Sequence, residues 1–135
     1  MSEREPERDQ SAEHVGAGEG VNLAVLAGRC SAGVEVRVLE SGTRVASLSV
    51  RVPSDTGAHT SVPVTVWEPK AWVEELAEGD ELLVVGSVRR RFYRTTGGTG
   101  ARVDVEAAFV GRVANRRQRD AALRRAERAL ELLAG

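Results

Sequence analysis

Apolar and polar residues alternate over most of the chain between residues 21 and 113, with the period of two that is typical of half-buried β-strands. Three alternating runs come before residue 68, over residues 21–38, 45–52 and 62–66. Ser41–Gly42 and the segment 53–57 separate these runs, and their residue types favour turns. The pattern therefore predicts three strands in succession.

A short helix and two further strands are predicted to follow. Pro69 suits the start of a helix and Gly79 suits its end, so a helix is predicted over residues 71–78. Two strands come next, over residues 82–94 and 103–113, joined by a flexible glycine-rich hairpin loop at 95–100. This order predicts an all-β OB-fold, a five-stranded Greek-key barrel with a helix between its third and fourth strands. Other small β-barrels share some of these features, but the position of the helix favours the OB-fold.

The strand predicted over residues 82–94 changes in character halfway along. Its first half is apolar and predicts burial, whereas its second half contains four arginines around two aromatic residues. Because side chains alternate along a strand, Arg89, Arg91 and Tyr93 are predicted to face outwards together. The same alternation predicts that Phe92 faces the core.

Two tryptophans add to the candidate aromatic residues. Alternation in the third strand directs Trp67 outwards, and stacking on a base is favoured over a role as a barrel residue or an oligomer contact. Trp72 in the predicted helix is expected to be a core residue. Guanidinium groups for phosphates and rings for bases are what a sequence-tolerant binder of single strands requires. A run of charges is commonly a solvated surface and nothing more. The interleaving of arginines with aromatic residues favours nucleic acid here.

The two ends of the chain differ from its middle. Residues 1–20 contain six acids and two arginines and almost no large apolar side chain, which predicts a disordered acidic tail. Over residues 116–134, leucine and alanine recur at helical spacing with arginines on the other face, which predicts an amphipathic helix that packs on the barrel or on a neighbouring subunit. Three parts are thus predicted: a tail over 1–20, a binding domain over 21–113 and a C-terminal helix over 114–135.

Composition narrows the possible classes of function. The 135 residues have a formal net charge of −1, so any basic surface is local. The single cysteine, Cys30, excludes an intramolecular disulfide and fits a reducing compartment. No apolar run has transmembrane length and no signal peptide is evident, which predicts a cytoplasmic protein. No catalytic arrangement stands out, and His14 and His59 lack ligand spacing, so no enzyme, metal, cofactor or small-molecule substrate is predicted.

Four segments in the middle of the chain resemble the bacterial single-stranded DNA-binding protein, a family of homotetrameric OB-fold proteins. These segments are Asn22–Gly28, Glu35–Arg37, Ser41–Ser49 and Gly86–Tyr93. The resemblance implies that Arg37 is the arginine of a Glu-x-Arg motif and that Trp67 is a base-stacking residue. It also implies that Tyr93 is a second stacking residue, placed after an Arg-x-Arg pair.

The chain departs from this family in three respects. Ser61 stands where the family has a tryptophan six residues before the position of Trp67, and the second strand lacks an aromatic residue. At roughly 1–3 kcal/mol per stacked base, each missing ring is expected to cost about tenfold or more in affinity. The chain also ends in a basic amphipathic helix, whereas the family usually ends in a flexible tail with an acidic tip.

The resulting hypothesis is a non-enzymatic protein that binds single-stranded DNA in replication, recombination or repair. The predicted nucleic-acid contacts are Arg37, Arg51, Trp67, Arg89, Arg91, Tyr93, Arg94 and Arg102. By resemblance a homotetramer is expected, with a dimer as the alternative, and the expected location is the cytoplasm, on the nucleoid. Two other functions stay open: an OB-fold protein-interaction or assembly module with weak or no DNA binding, and a binder of single-stranded RNA.

Overall fold

The computed structural model describes residues 20–134, which contain six strands and two helices. In chain order these are β1 (Ala24–Cys30), β2 (Glu35–Val38), β3 (Arg44–Pro53), β4 (His59–Trp67), α1 (Ala71–Glu74), β5 (Glu81–Thr95), β6 (Gly98–Arg112) and α2 (Arg116–Ala134). Apart from Gly20, the predicted acidic tail lies outside the described residues.

Five strands close into a barrel in the order β1, β5, β6, β4 and β3. The barrel closes where β3 pairs with β1, with Cys30 opposite Val50. The β4–β6 pairing is parallel and the other pairings are antiparallel. The predicted first strand is divided into β1 and β2, which pair with opposite ends of β3. This is the predicted OB-fold, with α1 between β4 and β5 and with α2 at the C-terminus.

The interior of the barrel is filled by the side of each strand that alternation assigns to it. Even-numbered residues of β3, β4 and β5 lie inside, and they are Ala46, Leu48, Val50, Val64, Val66, Leu82 and Val84. Cys30 lies among them with 1% of its surface exposed, and burial raises the pKa of its thiol. Cys30 is therefore a core residue, more deeply buried than a half-buried strand position.

Helix α1 is held against the barrel, although it is shorter than the predicted segment 71–78. Arg44 of β3 donates two hydrogen bonds to the carboxylate of Glu74, at 2.7 and 2.8 Å, and these lower the pKa of Glu74. Trp72 packs half-buried against the barrel core, and the guanidinium of Arg112 lies 4.8 Å from its ring centre. The expected core role of Trp72 agrees with this position.

Helix α2 packs on the outside of its own barrel. Ala122 and Ala126 form a second buried cluster with Leu83 and Val85 of β5. The contact is made through these alanines, while three of the leucines that define the apolar stripe, Leu123, Leu130 and Leu133, stay about half exposed or more. Of the two expected locations for α2, the barrel is thus the one observed. None of the helices in residues 20–134 is long and apolar enough to cross a membrane.

Strands β5 and β6 extend beyond the barrel as a two-stranded ribbon. The β1–β5 pairing ends where Ala24 lies opposite Gly86, whereas the β5–β6 pairing continues to Thr95 opposite Gly98. A tight turn at residues 96–97 therefore replaces the predicted flexible loop at 95–100. The prediction that Phe92 is a core residue was wrong, since its exposed fraction is 68%. Alternation does direct it to the inner side of the strand, but the barrel has ended before that point.

The close approach of two strands at Gly86 gives the first testable prediction. A side chain at this position would collide with the carbonyl oxygen of Glu106, at a β-bulge between Val85 and Gly86. We expect Gly86→Ala to lower the free energy of unfolding by about 2 kcal/mol, because overpacked backbone has to shift. Urea unfolding followed by circular dichroism measures the change.

Gly33→Ala is the matched control, because no atom lies within 4 Å of the site of its added carbon. Equal stabilities of the two variants would show that the strands separate at Gly86 without cost.

Candidate nucleic-acid interface

Five neighbouring strands, in the order β2, β3, β4, β6 and β5, present one continuous outward face. Directly paired residues lie on the same side of a sheet, so the register shows which side chains share it. Arg37 lies opposite Val45, and Val45 lies opposite Trp67. Further along the sheet, Thr65 lies beside Glu106, and Arg89 lies opposite Asp104. We call this surface the outward face.

A cluster of four charged side chains lies at the centre of the outward face. The Nε of Arg91 lies 3.3 Å from each carboxylate oxygen of Asp104, and its Nη2 lies 3.1 Å from Oε1 of Glu106. The Nη2 of Arg89 lies 3.5 Å from Oε2 of Glu106. Thr65 donates a further hydrogen bond of 2.8 Å to Asp104, which is 1% exposed. These residues form an ionic cluster on β4, β5 and β6, in which Asp104 and Thr65 are buried and the other three side chains are 12–16% exposed.

Trp67 is attached to this cluster through its indole nitrogen. Its Nε1 donates a hydrogen bond of 3.2 Å to Oε1 of Glu106, the same oxygen that accepts from Arg91. The ring is half-buried at the end of β4, beside the buried side chain of Val45. A buried indole is expected to pair its N–H, and here a carboxylate accepts it.

The cluster is electrically neutral, because two guanidinium groups face two carboxylates. The side chains of Arg89 and Arg91 are 12% and 15% exposed. They lie on the predicted face, but the expectation that their guanidinium groups are open to solvent was wrong. Asp104 and Glu106 were not among the predicted site residues. The alternation of charged residues in the last predicted strand was the available indication of these two carboxylates. Whether they reach the arginines depends on the register between β6 and β5.

Tyr93 lies on the outward face of the ribbon with 49% of its surface exposed. It is opposite Gly100, and a side-chain carbon at Gly100 would come within 2.6 Å of two ring atoms. The tyrosine ring therefore lies against the glycine backbone on one side. Arg91 is two residues away on the same face, about 7 Å along the strand.

The remaining predicted residues lie on this face, with one exception, and Arg102 is directly opposite Arg91. Arg37 is half-buried on β2, and Arg51 and Arg102 are exposed on β3 and β6. Arg51 lies opposite Ser61, about 20 Å along β3 from Val45. Arg94 lies on the other side of the ribbon, by its alternation with Tyr93. Seven of the eight predicted residues thus share the outward face.

The fold and its outward face define an OB-fold protein in which aromatic and charged side chains share one open side of the barrel. The structure is similar to that of the wild-type single-stranded DNA-binding protein from Thermus aquaticus, with 27% sequence identity and a TM-score of 0.58. The match covers 73% of this chain and 43% of that chain. No protein-family model matches the chain, and no curated protein does. The chain therefore has an OB-fold like that of bacterial single-stranded DNA-binding proteins, and it spans less than half of the solved chain that it matches.

The burial of Asp104 gives the second prediction. Removal of one partner from a buried ion pair leaves the other charge uncompensated, which typically costs several kcal/mol. We expect Asp104→Ala to lower the free energy of unfolding by about 3 kcal/mol, since Thr65 loses its acceptor and Arg91 loses one of its two carboxylate partners. Chemical denaturation at neutral pH measures this loss.

Asp55→Ala removes the same charge from an exposed turn and serves as the control. A similar small change in both variants would mean that the cluster contributes no net stability.

Proposed function

We propose that this protein binds single-stranded DNA with little sequence preference and without catalysis, in replication, recombination or repair. The observation that carries the proposal is the presence of two aromatic residues, Trp67 and Tyr93, on one outward face of this type of OB-fold. The similarity to a solved single-stranded DNA-binding protein supports the same ligand. Such a protein would act in the cytoplasm, on the nucleoid.

Stacking supplies the sequence-independent part of the interaction. Every base has an aromatic face, so a ring such as that of Tyr93 accepts any of the four bases. The open side of the Tyr93 ring points away from Gly100, and half of the side chain is accessible. Trp67 offers a second ring, whose orientation is fixed by its hydrogen bond to Glu106.

The third prediction is that loss of either ring weakens binding. We expect Tyr93→Leu and Trp67→Leu each to lower the affinity for an oligo-dT by about tenfold, because one stacked base is lost. Titrations with a fluorescently labelled oligo-dT at low and moderate salt measure the affinities. In a Trp72→Phe background, the quenching of Trp67 fluorescence reports the stacking directly.

Phe92→Leu is the matched control, because it removes an exposed ring from the neighbouring position on the opposite side of the same ribbon. Failure of the wild-type protein to bind dT at low salt would contradict the proposed function. A competition between matched DNA and RNA oligomers decides which of the two is preferred.

A second candidate function, assembly with other protein chains, is favoured by the other side of the ribbon. Val88, Phe92 and Val103 are 44%, 68% and 59% exposed there, and exposed apolar patches often mark protein contacts. This surface is compatible with a homo-oligomer, either the tetramer expected from the resemblance or a dimer.

The two candidates differ in their response to a charge at this apolar surface. If DNA binding is the function, Phe92→Asp leaves oligo-dT affinity per chain nearly unchanged. If assembly alone is the function, Phe92→Asp dissociates the oligomer, and no dT binding is found in either form. Light scattering with and without oligo-dT measures the molar mass in each case.

A further inference from the structure

We propose that Arg89 and Arg91 are positioning residues that hold Trp67 through Glu106, and that two exposed arginines of the outward face, Arg51 and Arg102, contact phosphate. This inference rests on the proposed function, and it changes the role that the sequence assigns to the arginine run. Three observations support this assignment: the ion pairs, the shared carboxylate and the exposure of Arg51 and Arg102.

The nitrogens with which Arg91 would bind a phosphate are already engaged in ion pairs. Its Nε and Nη2 are directed at Asp104 and Glu106, and Asp104 is 1% exposed. If Arg91 bound a phosphate instead, the buried carboxylate of Asp104 would lose its cation. An uncompensated buried charge is strongly destabilising. A solvated phosphate contact offers much less in return, so Arg91 stays with its carboxylates.

The shared carboxylate connects these arginines to the stacking ring. Glu106 accepts from Trp67 and Arg91 at Oε1, while Oε2 faces Arg89. Two cations therefore fix the carboxylate, and the carboxylate fixes the indole. A ring held in one orientation before binding loses less side-chain freedom when a base stacks on it, which favours binding.

Two cations of the outward face are open to the ligand. Arg51 and Arg102 are exposed, and within residues 20–134 neither takes part in an ion pair with an acidic side chain. A single strand that crossed the stacking rings would meet such groups on the same face, Arg102 opposite Arg91 and Arg51 further along β3. Each phosphate contacted releases counterions, so these arginines should carry the salt dependence of binding.

The test is a set of oligo-dT titrations over a range of salt concentrations. For Arg51→Gln and Arg102→Gln, the slope of log affinity against log salt should decrease in magnitude by about 0.7 each, the value for one single-strand phosphate. For Arg91→Gln, the slope should stay at the wild-type value while affinity falls by about tenfold at every salt concentration, as for one lost stacking interaction. A decrease of about 0.7 in the slope for Arg91→Gln would show that Arg91 contacts phosphate and would overturn the inference.

Arg91→Lys keeps the charge beside Asp104 and protects the test against a variant that fails to fold. We expect it to have the wild-type slope and an affinity between those of wild type and Arg91→Gln, since one ion pair is kept. Glu106→Gln keeps an acceptor for the indole but leaves one cation without its carboxylate, so its slope should steepen by about 0.7. An unchanged slope for Glu106→Gln would contradict the neutralising role of this carboxylate.

A measurement without DNA separates this inference from the proposed function. In a Trp72→Phe background, the indole N–H resonance of Trp67 should shift and exchange faster with solvent in Arg91→Gln, and it should be unchanged in Arg51→Gln. An indole resonance unaffected by Arg91→Gln overturns the positioning role, whether or not DNA binds. Absence of wild-type dT binding overturns the proposed function, and the phosphate part of the inference with it.

Discussion

The pairing of β5 with β6 is the constraint on which the rest of the structure depends. The two strands run together for almost their whole lengths, and they change register at the bulge beside Gly86. Before the bulge, Leu83 and Val85 face outwards and are covered by α2. After the bulge, the outward side of β5 carries Arg89, Arg91 and Tyr93, and Asp104 of β6 lies opposite Arg89. The bulge beside Gly86 therefore separates the part of β5 that is covered by α2 from the part that carries the ionic cluster.

A run of arginines in a sequence usually also makes a positively charged surface, and the ionic cluster prevents this here. Arg89 and Arg91 belong to a positively charged run in the sequence. In the folded protein their carboxylate partners cancel that charge. This local neutrality is in keeping with the net charge of −1 for the whole chain. On the proposed function, affinity depends more on rings than on the paired guanidinium groups of Arg89 and Arg91, and electrostatic attraction comes from the exposed arginines of the face.

Local periodicity was sufficient to predict the strands and the side of each strand on which a residue lies. The buried positions of β3 and the common face of Trp67, Arg91 and Tyr93 all follow from alternation, which is a property of the extended backbone itself. Alternation does not predict whether another element of the structure covers a given side of a strand. Phe92 has the predicted direction and is nevertheless exposed, because β1 ends before that part of β5 begins.

The ion pairs could not be predicted because they depend on register between strands that are distant in sequence. The carboxylates of Asp104 and Glu106 meet the arginines of β5 only in the alignment that the bulge produces. A shift of one residue would direct both carboxylates to the opposite side of the sheet. The length of α1 and the tight turn at 96–97 were missed for a similar reason, since helix ends and hairpin loops are set by the contacts of the neighbouring strands.

The segment Arg89–Arg94 thus gives the ribbon two different surfaces from one short sequence. Tyr93 lies on the side of the ionic cluster, and Phe92, with the Arg90 guanidinium 5.3 Å from its ring centre, lies on the other. Base stacking and chain association would therefore use opposite sides of the same two strands, and neither requires the other to be vacated. Association at Phe92 and base stacking at Tyr93 are for this reason expected to be independent of each other.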